Sequence, residues 1–384
     1  MRRLTALALG TALATACLAV SVQAAEPAAA KPAAAKAWKA PRNAMGQPDL
    51  AGYWSNATLT PLFRNPRISN KPTLTPDEGK AFEKIWTDAL SAANEPTREG
   101  ATALTAEQTA SYAKLLEIRP DFAAAGGDTG GYNTFWIDPG TKLVQIDGQY
   151  RTSILTTANG LIPGRKAGAP PMPPRNFRDD YTSYETRSAG ERCITGFGRN
   201  TGPPMLPNGY YNNNYQIVQT PDSVVIEVEL IHDARIIRLS DQHRTDGMRP
   251  YMGDAIGRYE GDTLVVETTN IPESQQFAGS WKTLKVTEWF TRVAPDRIVY
   301  RFQLEDPELW DKPWGGEYTF NTLNGRVYEY ACHEGNYALP GILAGARQKE
   351  KEAAAEADAK AAAEAAAAAA KAAPVKGKAR SGAD

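Results

Sequence analysis

From residue 141 onward the chain is a long succession of short, strand-like segments, and this pattern constrains the fold more than any other feature. Turn sequences such as Asn324-Gly325 separate many of the segments. Short links between consecutive strands allow only antiparallel pairing, so the pattern predicts an antiparallel meander. The predicted strands cover 141–147, 151–157, 215–219, 223–230, 234–239, 254–259, 263–269, 284–293, 297–305, 315–322 and 326–332.

The side chains of these segments alternate between two faces. Val224, Ile226 and Val228 share one face of the segment 223–230, whereas Glu227 lies on the other. An open sheet of so many strands would leave long unpaired edges. We therefore predict a mostly β protein whose meander closes as a lipocalin-like barrel or stacks as a sandwich. Its dry face is either a packed core or an apolar ligand cavity, and the alternation fits both.

A small helical insertion precedes the meander. Thr75 and Glu78 form a capping box ahead of large apolar residues at helical spacing. Thr105 and Gln108 repeat this arrangement, and Pro120 ends the second segment. The sequence therefore predicts two helices in this region.

The amino terminus has the composition of an export signal. Two arginines precede the apolar run 4–22, and small residues surround Ala24. We predict a cleaved signal peptide over 1–24 and a location in the periplasm or outside the cell. A lipoprotein anchored through Cys17 is the alternative. The run is too rich in alanine to favour a membrane-spanning helix.

Composition separates the ends of the chain from its middle. Ala, Pro and Lys dominate 25–44, which predicts an extended linker, and Ala, Lys and Glu dominate 346–384, which predicts a tail able to form one helix. The region 45–345 is then a single β-rich domain. The formal net charge of -1 comes without a basic stripe, so we expect no nucleic-acid partner. We also expect no stable membrane insertion after signal cleavage, and the oligomeric state stays open.

Two cysteines remain after removal of the signal. Cys193 and Cys332 in an oxidising compartment predict a disulfide. Closing this long loop would stabilise the fold by about 5 kcal/mol through chain entropy. Two free, buried thiols are the alternative. Neither residue has the C-x-x-C partner that a metal site would use.

Distinctive sequence blocks run through the region 45–347. They are Gly131-Tyr132-Asn133-Thr134-Phe135-Trp136, Glu191-Arg192-Cys193-Ile194, Tyr211-Asn212-Asn213-Asn214, Ile231-His232-Asp233-Ala234-Arg235, Met252-Gly253-Asp254, Glu260-Gly261-Asp262-Thr263-Leu264 and Tyr330-Ala331-Cys332-His333-Glu334-Gly335-Asn336-Tyr337. These blocks resemble a family of exported bacterial proteins of unassigned activity. The resemblance favours one domain and implies no reaction. Gly52-Tyr53-Trp54 also resembles the Gly-x-Trp entry of lipocalin-like barrels, in which Trp54 would close one barrel end.

Histidine–carboxylate pairs are the candidate catalytic groups. His232 is followed by Asp233, and His333 by Glu334. A carboxylate that fixes the tautomer of a histidine gives a general base, and Arg235 would stabilise an anion. Adjacent residues of an extended strand point to opposite faces, so His232 and Asp233 need a turn to act together. For His333 the structural alternative is a hydrogen bond to a covering loop.

The third histidine, His243, lies near Asp246. Three converging imidazoles would make an open zinc site, but we predict no metal. The sequence contains no G-x-S-x-G, H-E-x-x-H, P-loop or dinucleotide-binding motif, so we also predict no cofactor.

Aromatic and amide side chains are the candidates for ligand contact. These candidates are Trp136, Tyr211, Asn213, Tyr215 and Trp289. A turn followed by a strand entry is the structural alternative for the Asn/Tyr-rich segment. The strand arginines Arg151, Arg235 and Arg238 could bind a carboxylate inside a barrel, or could form surface salt bridges with Glu227 or Glu229.

The sequence favours a binding or carrier protein for a small apolar or aromatic ligand held inside the sheet. The alternative is a cofactor-free lyase, isomerase or hydrolase that acts on such a ligand through a His–carboxylate pair. A structural envelope protein is a third interpretation, for which the linker and the tail are the positive signs. Replacing His232 or His333 by alanine should leave a carrier's affinity intact but should abolish an enzyme's turnover.

Overall fold

The structure is a computed structural model that describes residues 38–93, 104–118, 138–172, 180–196, 198–209 and 211–372. Among these residues, those from Lys39 onward belong to one compact unit. The strands of the described residues are β1 (Gly52–Ser55), β2 (Thr73–Leu74), β3 (Gln145–Ile146), β4 (Gln149–Arg151), β5 (Asn214–Gln219), β6 (Ser223–Val228), β7 (Ala234–Leu239), β8 (Asp254–Glu260), β9 (Thr263–Thr269), β10 (Lys285–Ala294), β11 (Arg297–Glu305) and β12 (Trp314–Thr322). The α-helices are α1 (Pro76–Ala93), α2 (Ala106–Ile118) and α3 (Ala338–Ala372).

Nine of the strands close into a barrel, which confirms the predicted fold class. The order around the ring is β1, β12, β11, β10, β9, β8, β7, β6 and β5, and β5 pairs with β1 to complete it. The ring replaces the sandwich alternative. It also pairs the edges that an open sheet would expose.

One pair of strands departs from the predicted antiparallel meander. Strands β7 and β8 run parallel, with Arg238 opposite Ile256. The connecting segment 240–253 is long, unlike the turns of two or three residues that link β5 to β6, β8 to β9 and β10 to β11. It returns the chain to the end of the barrel at which β7 begins, so the short-link argument does not apply there.

The prediction of a strand over 326–332 is wrong. This segment forms no strand, because β12 already pairs with β11 on one side and with β1 on the other. The predicted strand 151–157 is also wrong for most of its length, since β4 ends at Arg151. Strand β11, in contrast, has the predicted bounds.

The helical insertion has a small core of its own. Helices α1 and α2 pack with the three-stranded sheet β2-β4-β3 around Trp86, Leu115 and Tyr150. Both predicted capping boxes form: Thr75 N donates to Glu78 Oε2 at 2.8 Å, and Thr105 N donates to Gln108 Oε1 at 2.9 Å. The insertion therefore folds beside the barrel as predicted.

The dry face of the barrel is a packed core. Val224, Ile226 and Val228 point inward and are fully buried, as the alternation predicts. Aromatic rings fill the remaining interior: Trp54, Tyr215, Phe290, Tyr300, Tyr318 and Phe320. Side chains thus fill the interior of the barrel. Of the two alternatives, a packed core and an apolar ligand cavity, the dry face forms the packed core.

The predicted disulfide between Cys193 and Cys332 is present. It joins a segment beside the barrel to the segment that leads into α3. Helix α3 includes the predicted helix of the tail, and its residues from 349 to 371 are exposed. Among the described helices, none combines the length and the apolar character needed to cross a bilayer.

Candidate functional site

A buried ion pair lies inside the barrel. Arg235 of β7 and Glu288 of β10 are 0% exposed, and Arg235 Nη1 donates to Glu288 Oε1 at 2.8 Å. Arg235 Nη2 donates to Thr268 Oγ1, and the Tyr300 hydroxyl donates to Glu288 Oε1 at 2.7 Å. Burial alone would lower the pKa of Arg235, but Glu288 outweighs it and holds that pKa above its ordinary value. The charges of Arg235 and Glu288 compensate each other, whereas Arg235 Nε is buried and has no hydrogen-bond partner among the described residues.

A short segment around Met205 plugs the barrel. Met205 N donates to the Tyr300 hydroxyl, and the Tyr318 hydroxyl donates to Met205 O, both at 3.0 Å. Gly202 precedes the plug at a φ of 78°, and a Cβ there would come within 2.6 Å of Met205 N. The buried Tyr215 hydroxyl donates to Asn200 O at 3.1 Å. Tyr215 is therefore part of the closed core.

A cavity of about 810 Å³ lies outside this plug, at the end of the barrel where β6 and β9 finish and β8 begins. Its lining comes mainly from the segments 185–202 and 273–279. Leu230 and Tyr251 complete the wall from the barrel side, and more distant loops add the apolar side chains Phe63, Ile162 and Met172.

Arg199 is one of the charged residues that line this cavity. Its guanidinium lies 4.9 Å from the ring centre of Phe277 and donates to the carbonyl oxygens of Gln275, Gln276 and Pro203. Part of the Arg199 side chain is exposed, but protein atoms surround most of it. Burial lowers the pKa of Arg199 to about 10, so the group stays protonated at neutral pH.

Asp233 and Tyr251 form the acidic side of the same region. Thr201 Oγ1 donates to Asp233 Oδ2 at 3.3 Å, and burial raises the pKa of Asp233 above its ordinary value. Burial and the negative charge of Asp233 together raise the pKa of Tyr251 to about 12. The hydrogen bond from Thr201, a cavity-lining residue, places this half-buried carboxyl next to the cavity.

The turn that presents Asp233 is strained. Ile231 and His232 have φ values of 64° and 48°, in the left-handed region that a β-branched residue rarely adopts. The predicted strand 223–230 therefore ends at Val228, and a short 3₁₀ turn at Leu230–His232 follows. Such strain costs about 1–3 kcal/mol per residue and is concentrated at functional sites. Here it places Leu230 in the cavity wall beside Asp233.

The predicted catalytic residues do not converge on one point. His232 is exposed next to Asp233, whereas Arg235 faces the barrel interior and is paired with Glu288. His333 and Glu334 are exposed in the segment that follows Cys332. Of these predicted catalytic residues, Asp233 forms a hydrogen bond with a cavity-lining residue, Thr201.

His243 forms hydrogen bonds with two carboxylates at another place on the barrel wall. Its Nδ1 lies 2.9 Å from Asp254 Oδ2 and its Nε2 lies 3.2 Å from Glu267 Oε1. The sequence neighbour Asp246 pairs with Arg244 instead. Within the described residues, no group of three or more His, Cys, Asp or Glu side chains is arranged to hold a metal ion.

The strand arginines form ion pairs, but not with the predicted partners. Arg151 pairs with Glu317, Arg235 with Glu288 and Arg238 with Asp254. The prediction of Glu227 or Glu229 as partners is wrong. Strand β7 lies beside β6, but Arg235 is opposite the inward-facing Ile226, whereas Glu227 is on the other face of the sheet. Glu229 instead accepts hydrogen bonds from Asn212 and Asn214.

The predicted ligand contacts are also dispersed. Asn213 is fully buried and donates to Asp138 O and Asn208 O, so it holds loops together. Trp289 lies on the outer face of β10 beside a separate groove of about 490 Å³. Tyr211 is half-buried, and Trp136 lies outside the described residues.

Sequence reasoning missed Arg199, Tyr251 and Phe277. One signal was available: Arg199 lies in a glycine- and proline-rich loop, 8 positions from Glu191, the nearest acidic residue in the sequence. Such a loop brings a side chain close to the backbone of other segments.

Comparisons with known proteins add little to this geometry. No family model matches the chain, and no curated protein matches it. Among solved structures, the chain is similar to one titled crystal structure of fluorescent protein UnaG N57A mutant, at 12% identity and a TM-score of 0.19. The match covers 29% of this chain and 72% of that one.

Proposed function

We propose that the protein binds a small organic molecule in the cavity at the end of the barrel. The observation that carries the proposal is the cavity itself, whose volume of about 810 Å³ suits a small-molecule site. The barrel interior is filled by packed side chains. The ligand predicted for the inside of the sheet is therefore assigned to the mouth of the barrel.

The chemistry of the lining supports a ligand with both apolar and polar parts. Leu230, Ile162 and Phe63 offer apolar surface, while Arg199 and Tyr251 offer hydrogen-bond donors. The disulfide supports the further proposal that the protein is exported, since such bonds persist in oxidising compartments.

Filling the cavity should weaken binding. Ser274 is exposed and lines the cavity, and in Ser274→Trp the indole would occupy part of the volume. We expect saturable binding of the fluorescent probe N-phenyl-1-naphthylamine to the unaltered protein, and affinity at least about tenfold lower in the variant. Fluorescence titration measures both constants.

Ser91→Trp is the matched control, because Ser91 is exposed on α1 and does not line the cavity. Its affinity should match that of the unaltered protein. Equal affinities in all three proteins would place the probe elsewhere. Absence of saturable probe binding, with no small molecule extracted from natively purified protein, would contradict the proposed function.

A second candidate function is acid–base catalysis on the same ligand. Asp233 favours it, because this half-buried residue accepts a hydrogen bond from the cavity-lining Thr201 and burial raises its pKa. In this alternative Asp233 itself donates the proton, while Arg199 takes the anion-stabilising role that the sequence predicted for Arg235.

Replacing Asp233 by asparagine distinguishes the two functions. A catalyst should lose about a hundredfold in turnover of the co-purifying ligand, because an amide cannot donate the proton. A carrier should show no turnover and no change in probe affinity beyond about twofold. Asp241→Asn is the control, since Asp241 is exposed, whereas Asp233 is half-buried and accepts a hydrogen bond from the cavity-lining Thr201. Mass spectrometry of the ligand over time gives the readout.

A further inference from the structure

We infer that the ligand of this cavity is an organic anion whose carboxylate binds Arg199. The inference rests on the proposed function and specifies the chemical class of the ligand. It predicts a molecule with an apolar body against the cavity wall and one carboxylate at the guanidinium.

Arg199 differs from the neighbouring buried arginines in that its charge is not balanced by a carboxylate within the described residues. Arg235 has Glu288 as its counter-ion, and Arg187, another cavity residue, pairs with Glu191 at 2.6 Å. Arg199 forms no ion pair with any of the described carboxylates; its partners there are carbonyl oxygens and an aromatic ring. A desolvated cation without a counter-ion is unfavourable, so an anionic ligand would gain free energy by neutralising it.

The guanidinium of Arg199 also has a fixed position. Three carbonyl oxygens and the face of Phe277 hold the guanidinium in place. A guanidinium has five N–H donors, which leaves two for another acceptor. Its Nε is buried and has no partner among the residues that the structure describes. Since Nε is buried, the spare hydrogen of Nη2 is the donor left for a ligand, and a fixed cation with such a donor suits a carboxylate.

Other charges near the cavity do not cancel this one. Glu185 and Glu273 line the cavity, but both are exposed, where water screens them. Asp233 does not line the cavity and accepts a hydrogen bond from Thr201. Glu288 also acts on Arg199 electrostatically, but it is paired with Arg235 inside the barrel. The dry part of the cavity is therefore electropositive at Arg199.

The test compares two competitors of nearly equal shape, 1-naphthoate and neutral naphthalene-1-carboxamide. Each displaces N-phenyl-1-naphthylamine from the protein, and fluorescence gives its affinity. We expect the unaltered protein to prefer the carboxylate by at least about tenfold. Arg199→Gln should abolish this preference while the affinity for the carboxamide changes less than about twofold. Arg199→Lys should retain a preference of at least about threefold, because it keeps the charge.

Arg258→Gln is the control, since Arg258 is exposed on β8, pairs with Glu260 and does not line the cavity. Failure of the probe to bind, with no small molecule extracted from natively purified protein, would overturn the proposed function. Probe binding without preference for naphthoate would overturn the anion inference alone. A preference that persists in Arg199→Gln would overturn the assignment of the carboxylate to Arg199. Circular dichroism of each variant confirms that it is folded.

Discussion

Replacing Glu288 by alanine is expected to lower the free energy of unfolding by about 3–5 kcal/mol. The substitution would leave the Arg235 guanidinium in the barrel interior without its counter-ion, at a position with no exposed surface. It would also remove the acceptor of the Tyr300 hydroxyl. Chemical denaturation followed by intrinsic fluorescence gives the change in unfolding free energy.

Glu260→Ala is the matched control. Glu260 also pairs with an arginine, Arg258, but both side chains are more than half exposed. Water screens such a pair, so its loss should change the unfolding free energy by less than about 1 kcal/mol. Equal effects of the two substitutions would contradict the dry environment assigned to Glu288.

A double substitution separates the cost of an unpaired charge from the value of the pair. Arg235→Met with Glu288→Leu removes both charges and keeps apolar volume in the core. We expect it to be more stable than Glu288→Ala, because a hydrophobic replacement also removes the desolvation penalty. A double variant as unstable as the single one would indicate that packing, not the unpaired charge, dominates.

The strands were predictable wherever local sequence decides them. Strand β11 has alternating apolar residues between two turn sequences, and its observed bounds match the prediction. The helix caps at Thr75 and Thr105 depend on residues three positions apart, so they too can be read locally. The disulfide followed from cysteine number and the expected compartment.

Features that depend on ring closure were not predictable. The segment 326–332 alternates like a strand, but the short strand β1 takes the position beside β12. The parallel pairing of β7 with β8 likewise depends on where a long connection returns. Glu288, the partner of Arg235, is 53 residues away in the sequence. The two side chains meet inside the barrel only because the strands close into a ring.

The candidate site was missed for a related reason. Arg199, Tyr251 and Phe277 lie in three separate loops that meet only because β8 starts at the same barrel end at which β6 and β9 finish. Loop residues show no periodicity, so hydrophobic patterning carries no information on them. Asp233 was identified because histidine–carboxylate neighbours are visible in sequence, although its proximity to Tyr251 was not.

Removal of the disulfide is expected to be the second large perturbation. Cys193 and Cys332 close a loop with a sequence separation of 139 residues. The entropy that the bond removes from the unfolded chain corresponds to about 5 kcal/mol, of which about 2–5 kcal/mol is typically measured. We expect that loss of unfolding free energy in the Cys193→Ala, Cys332→Ala double variant. Guanidinium denaturation gives the value.

The same bond should matter for the cavity, because Cys193 lies in the segment 185–202 that supplies much of its lining. Asn336 Nδ2 also donates to Glu191 O at 2.8 Å, so the bond and this contact together hold the segment against the chain that leads into α3. We therefore expect weaker binding of N-phenyl-1-naphthylamine to the double variant under conditions in which it is folded. Dithiothreitol should change the unaltered protein in the same direction and leave the double variant unaffected. Unchanged stability and probe affinity after reduction would show that hydrogen bonds and packing hold this segment without the covalent link.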